Sequence, residues 1–176
     1  GCTVMVALGS GSATGRTLLM KNSDQLGNDS MVGETFHEHK DIYVVQVTEA
    51  DNGRRIVGLS AAGAAGIKVG VCDAGVAAAS NIARTAELAE RKTDVSRIRA
   101  RDRTRLLREG LEEATALAAA TGTLAHTMAE PTSTPGTMEF ADAGECWVLE
   151  TSYEHVASEV VTDGTLARAN RFEVLD

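Results

Sequence analysis

Alternating or uniformly apolar runs occupy both ends of the chain, and helical periodicity is confined to the middle. Cys2-Thr3-Val4-Met5-Val6-Ala7 is a short apolar run that predicts a strand. Gly9, Gly11 and Gly15 punctuate a turn, and Thr17 to Asp24 returns as the hairpin partner. Gln25 to Glu34 is polar and reads as a loop. Ile42 to Val47 and Arg55 to Leu59 predict two strands joined across Asp51-Asn52-Gly53, a strong hairpin signal. Ser60 to Gly66 is small-residue chain suited to close backbone approach. Gly70 to Gly75 reads as a turn, and Val76 to Ser80 as a strand ending at Asn81. The period then changes. Thr85 to Arg91 reads as helical, and Arg99 to Ala120 as a long amphipathic helix stopped by Gly122. Leu106, Leu107, Leu111, Ala114 and Leu117 lie on one of its faces, with Glu112 and Glu113 on the other. Pro131 to Gly136 is a loop. Strands return at Thr137 to Asp142, Cys146 to Thr151, His155 to Val161 and Thr165 to Asn170. Strands, then helices, then strands imply a layered α+β domain without internal repeats.

Composition narrows the picture. A length of 176 residues with 43% hydrophobic and 24% charged positions suits a single globular domain spanning residues 1–176. Aromatics make up only 3%, so the core must come from Ala, Val, Leu and Ile. A net charge of −8 argues against nucleic acid and against an anionic membrane surface. No apolar run approaches the roughly eighteen residues of a spanning helix, and no signal peptide is visible. The reading is therefore cytoplasmic, although processing at Cys2 would also remove an upstream leader. Cys2, Cys72 and Cys146 lack metal-ligand spacing and read as reduced thiols, the latter two as packed hydrophobes. His37-Glu38-His39 puts two imidazoles on one strand face, but two ligands without a third make no metal site. The Gly9-Ser10-Gly11-Ser12 run lacks the lysine and following helix of a phosphate loop and is a hairpin turn. No cofactor or metal is expected. Two sheets that both need covering suggest a homo-oligomer.

The chemistry concentrates at the start of the chain. A cysteine whose own α-amine is free carries its base beside its sulfur, and the predicted hairpin brings Lys21, Asn22 and Asp24 back towards that thiol. Cys2-Thr3, Ala13-Thr14-Gly15-Arg16-Thr17-Leu18 and Lys21-Asn22-Ser23-Asp24 together resemble the opening of the cysteine N-terminal-nucleophile hydrolases of the dipeptidase and secernin family. Gly70 to Asn81 is similar to that family's glycine-rich element, with Cys72 and Asp73 replacing its usual Asn and Glu. Ala141-Asp142-Ala143-Gly144-Glu145-Cys146-Trp147-Val148-Leu149-Glu150-Thr151 and Ala167-Arg168-Ala169-Asn170-Arg171-Phe172 resemble two further family elements. These matches follow the family order along most of the chain.

The resemblance implies a four-layer αββα sandwich with antiparallel sheets and an amide-cleaving enzyme working through an acyl-cysteine. Cys2 would be the nucleophile and Asp24 would orient its amine. Asn81 and Asn170 would bind substrate backbone or complete an oxyanion hole, and Lys21 and Asn22 would contact a small peptide or N-acyl amide substrate. Gly1 would be the residue released when Cys2 attacks its carbonyl in self-processing. Three departures stand out: Lys21 replaces a commoner arginine, losing its bidentate fork, Gly1 precedes Cys2 and so acylates the amine that should act as base, and the chain is shorter than most of the family. Without the motif Cys2 would read as a small strand hydrophobe, Asp24 and the asparagines as turn residues, and Lys21 as an exposed strand-end cation. Asp142, Glu145 and Glu150 read as structural carboxylates. An acyltransferase of the same fold and a catalytically degraded, secernin-like binding protein are the alternatives.

Overall fold

The computed structural model describes residues 2–23, 43–83, 103–114, 135–152 and 155–175. Two antiparallel sheets are present. The larger contains seven strands: β3 (Tyr43–Glu49), β4 (Arg55–Ala61), β5 (Val69–Cys72), β6 (Ala77–Ile82), β7 (Gly136–Ala141), β8 (Cys146–Thr151) and β9 (Val156–Val161). They neighbour one another in chain order. The smaller sheet has the order β10-β1-β2 and joins β1 (Cys2–Leu8) and β2 (Leu18–Ser23) to β10 (Gly164–Arg168).

Among the described residues, three layers follow from which faces are apolar. Helix α1 (Arg103–Glu113) buries Leu106, Leu107 and Leu111 against Ile56, Cys72, Ala78, Met138 and Phe140 on one face of the large sheet. The opposite face offers Ala79, Ala141, Cys146 and Val148 to Val4, Val6, Leu8 and Leu166 of the small sheet. The large sheet is thus covered on both sides over β6 to β8, and every residue of β7 is buried. A strand enclosed in this way need not alternate between apolar and polar positions.

The hairpin turn after β1 forms as expected. Its short 3-10 turn, Gly9–Gly11, wraps the Asp163 carboxylate, which accepts hydrogen bonds from Ser10 N and Ser10 Oγ, both at 2.7 Å. The Gly-Ser run therefore does hold an anion, one supplied by the β9–β10 turn of the same chain. Asp51-Asn52-Gly53 turns as predicted, with Gly53 at φ +81°.

Three expectations need correction. Gly70 to Gly75 is not all turn: Val69–Cys72 is a strand, and the chain reverses only at Asp73 to Gly75, where Gly75 takes φ +80°. Gly70 is present for space, because a Cβ there would meet Ile67 Cδ1 at 2.8 Å and the Val57 carbonyl oxygen at 2.9 Å. Among the described residues the long helix also departs from its predicted span, running Arg103–Glu113 with Ala114 outside it. It ends at Glu113, and Asn52 Nδ2 donates to the Glu112 carbonyl at 2.8 Å, satisfying one of its last acceptors. The final strand stops at Arg168, which leaves Asn170 beyond the ladder. The predicted Gln25–Glu34 loop, the Thr85–Arg91 helix and His37-Glu38-His39 lie outside the described residues.

Replacing Gly70 by valine should destabilise the protein by about 1–3 kcal/mol through overpacking against Ile67 and the β4 backbone. Urea denaturation reads this as a lower midpoint at unchanged slope, and an unchanged midpoint would refute the packing role.

Candidate active site

Strand β1 delivers Cys2 to the edge of the layer between the sheets. Its register pairs Cys2 with Ser23 and Val4 with Lys21 on one side, and Val4 with Arg168 on the other. Opposed residues share a sheet face, and alternate residues along a strand return to it. Cys2, Ser23, Lys21 and Arg168 therefore project from the same side as Val4. Val4 is 1% exposed within the inter-sheet core, so this side faces the large sheet. Asn22 pairs with Thr3 and is exposed on the other face, away from Lys21.

Polar side chains fasten this row to the end of β6. Asn170 accepts the Cys2 backbone N–H at Oδ1 over 2.5 Å and donates from Nδ2 to the Ile82 carbonyl at 2.6 Å. Asn81, fully buried, donates from Nδ2 to the Arg168 carbonyl at 3.0 Å. Lys21 Nζ donates to the Ser80 carbonyl at 2.5 Å and to Asn81 Oδ1 at 3.0 Å. Cys2 Sγ lies 3.8 Å from Ser23 Oγ. The structure thus gathers Cys2, Lys21, Asn81 and Asn170 around the end of β6. Gly1 and Asp24 lie outside the described residues.

No known family matches the chain by sequence, and no curated protein is significantly similar to it. Among solved structures, it is similar to the Caenorhabditis elegans ortholog of N-acylethanolamine-hydrolyzing acid amidase. The TM-score is 0.68 at 17% identity, covering 98% of this chain and 71% of that one. The fold is that of the N-terminal-nucleophile hydrolases. In that fold, the α+β sandwich read from the sequence takes the form of two antiparallel sheets with α1 on the outer face of the larger one.

Charge is concentrated behind the site. Across the layer from Lys21 and Arg168 lie Glu139 and Glu150, both fully buried, and Glu159. Arg168 pairs with Glu159 through Nη2, and its Nε lies 3.8 Å from Glu150 Oε1. Glu150 accepts the successive backbone N–H groups of Glu173, Val174 and Leu175, each at 2.8 Å. Glu139 accepts only from Thr137 Oγ1, at 2.6 Å, while its Oε2 has no hydrogen-bond partner among the described residues. Burial without full hydrogen bonding favours its neutral form and raises its pKa from 4.5 to about 7, against the opposing pull of Thr137, Lys21, Arg168 and Arg103. Burial likewise lowers the Lys21 pKa, opposed by the nearby Cys2 and Glu139 and assisted by Arg103 and Lys68.

Of the other thiols, Cys72 lies in the core under α1, and Cys146 lies in the inter-sheet core close to Glu139, Arg168 and Glu159. Cys72 and Cys146 are buried and free, and burial pushes the Cys146 thiol up to about 12. Asp142 closes the β7–β8 turn by accepting from the Gly144 and Glu145 N–H groups, and Glu145 accepts from Trp147 Nε1 at 3.0 Å. Asp73, in the glycine-rich element, pairs with Arg54 at the β5–β6 turn, at the far end of β6 from Asn81. Among the described residues no group of His, Cys, Asp and Glu is arranged to hold a metal, and no helix is long and apolar enough to cross a membrane.

Glu139, Arg168 and Ser23 were missed from sequence. Thr137-Met138-Glu139-Phe140-Ala141 alternates like a strand with one wet face, so nothing local reveals that a second sheet covers Glu139. Because the Glu139 pKa is higher in the folded state than in the unfolded chain, its contribution to stability is greatest below pH 4.5 and is lost as pH rises to about 7. The decline amounts to about 3 kcal/mol. Glu139→Gln should flatten that part of the stability–pH curve in chemical denaturation, and an unaltered slope would refute the assignment.

Proposed function

We propose that this chain is an N-terminal-cysteine amidohydrolase that cleaves small amides through an acyl-cysteine. The observation that carries the reading is the Cys2 backbone nitrogen held by Asn170 Oδ1, with the thiol on the face that Lys21 and Asn81 border. Once the residues before Cys2 are removed, that nitrogen becomes an α-amine with a pKa near 8, suited to act as a base close to neutral pH. Self-processing would use the same sulfur on the Gly1 carbonyl.

In the forward reaction the amine takes the Cys2 thiol proton and Sγ adds to the substrate carbonyl. The tetrahedral oxyanion collapses as the ammonium protonates the departing amine, leaving a thioester. Water, deprotonated by the same amine, then releases the carboxylic acid and regenerates the thiol. The oxyanion needs neutral or cationic donors already in place. Each carboxamide has two N–H groups and the ammonium has three. Asn170 spends one on a backbone carbonyl and Lys21 spends two, which leaves a donor on each of these partly exposed side chains for substrate, while the fully buried Asn81 holds Lys21 and the Arg168 carbonyl in place.

Two substrate classes follow. The motifs resemble those of dipeptidases, whereas the structural neighbour is named for hydrolysing N-acylethanolamines. A small amide is common to both, and a dipeptide is the favoured form because the sequence elements point there.

Protein expressed with its upstream residues should have the mass of a chain beginning at Cys2 and be alkylated there before Cys72 or Cys146. It should turn over members of a panel of dipeptides and N-acyl amides. Cys2→Ala should stop processing and reduce turnover by about a thousandfold or more. A chain that keeps Gly1 and shows no preferential labelling would sink the reading. Transfer to an added amine in place of hydrolysis would reassign it to the acyltransferases.

A further inference from the structure

The most heavily bonded side chain near the site is not one that faces substrate. Glu150 is the penultimate residue of β8, is fully buried, and directs its carboxylate into the 173–175 segment. It accepts three consecutive backbone N–H groups, those of Glu173, Val174 and Leu175, each at 2.8 Å. Its Oε1 also lies 3.8 Å from Arg168 Nε, a charge contact without a hydrogen bond, while Arg168 Nη2 is held by Glu159. Asn170 sits between these two grips, two residues after one and three before the other. Beyond the end of β10 it has no strand ladder to fix its backbone, yet its side chain must meet both the Cys2 nitrogen and the Ile82 carbonyl.

We propose that Glu150 is a positioning residue of the Cys2 site, clamping the chain on both sides of Asn170 and so setting where that carboxamide meets Cys2. Three adjacent N–H groups converging on one carboxylate form an anion-binding concavity filled from within the chain. Removing the acceptor leaves those donors without a partner and lets the 169–175 segment relax. A displacement of an ångström at a catalytic contact suffices for a loss of about a hundredfold in rate. The inference rests on Cys2 as the nucleophile, but its test needs no substrate.

The test measures Cys2 alkylation by iodoacetamide across pH in the processed protein, for wild type, Glu150→Gln, Asn170→Ala and the double variant. Glu150→Gln should slow alkylation near neutral pH by about tenfold, approaching Asn170→Ala, with a matching shift of the pH profile. In the Asn170→Ala background it should add nothing. Val174→Pro, which removes one N–H donor at an exposed position, should give a smaller change in the same direction and serves if Glu150→Gln fails to fold. Equal effects of Glu150→Gln with and without Asn170 would overturn the proposal, as would an unchanged profile in both Glu150→Gln and Val174→Pro. If wild-type Cys2 alkylates with this coupling yet cleaves no amide, the proposed activity falls and the clamp stands.

Discussion

The site depends on the antiparallel pairing of β1 with β10, which sets Val4 opposite Arg168 and makes the first strand the centre of its sheet. Flanked on both sides, β1 has a fixed height and a fixed face. The backbone of Cys2 is then held by the register of its neighbours, and the thiol is carried on a rigid element rather than a loop. The same pairing puts the chain that follows β10 within reach of Cys2. Cys2 and the carboxamide that holds its nitrogen thus come from widely separated parts of the sequence through one ladder.

Two apolar faces alone leave the sheets free to slide, since Val4, Val6 and Leu8 meet Ala79, Ala141 and Val148 without directional contacts. The polar contacts remove that freedom. Lys21 reaches across to Ser80 and Asn81, Asn81 returns a bond to the Arg168 carbonyl, and Asn170 joins Cys2 to Ile82. Buried ionic groups carry a large desolvation penalty, and Glu139, with an unmatched oxygen, reflects it. What they supply here is alignment of one particular strand end with one particular sheet edge.

Much of this was legible in the residues. The Cys2 strand, its glycine turn, the Asp51-Asn52-Gly53 hairpin and the late strands follow from local pattern, because apolar runs and turn residues act over a few positions. Gly70 misled because glycine serves close packing as well as turns, and only the neighbouring Ile67 distinguishes them. The helix end misled because one of its last carbonyls, that of Glu112, is taken up by Asn52, distant in sequence. Asn81 and Asn170 were singled out by resemblance, but their work as bridges between sheets depends on which layers touch. Glu139 was invisible for the same reason: burial from a second sheet leaves no local mark on a strand.

The Cys2–Asn170 contact joins residues 168 positions apart. All of the chain from Cys2 to Asn170 must therefore be synthesised before the Cys2 backbone nitrogen meets its partner. Contacts of such long range close late in folding, because the intervening loop entropy must be overcome first. Until then the cysteine rides on an incomplete sheet and has no settled geometry towards any carbonyl. The topology thus acts as a timer, leaving the surroundings of Cys2 unorganised until Asn170 has arrived.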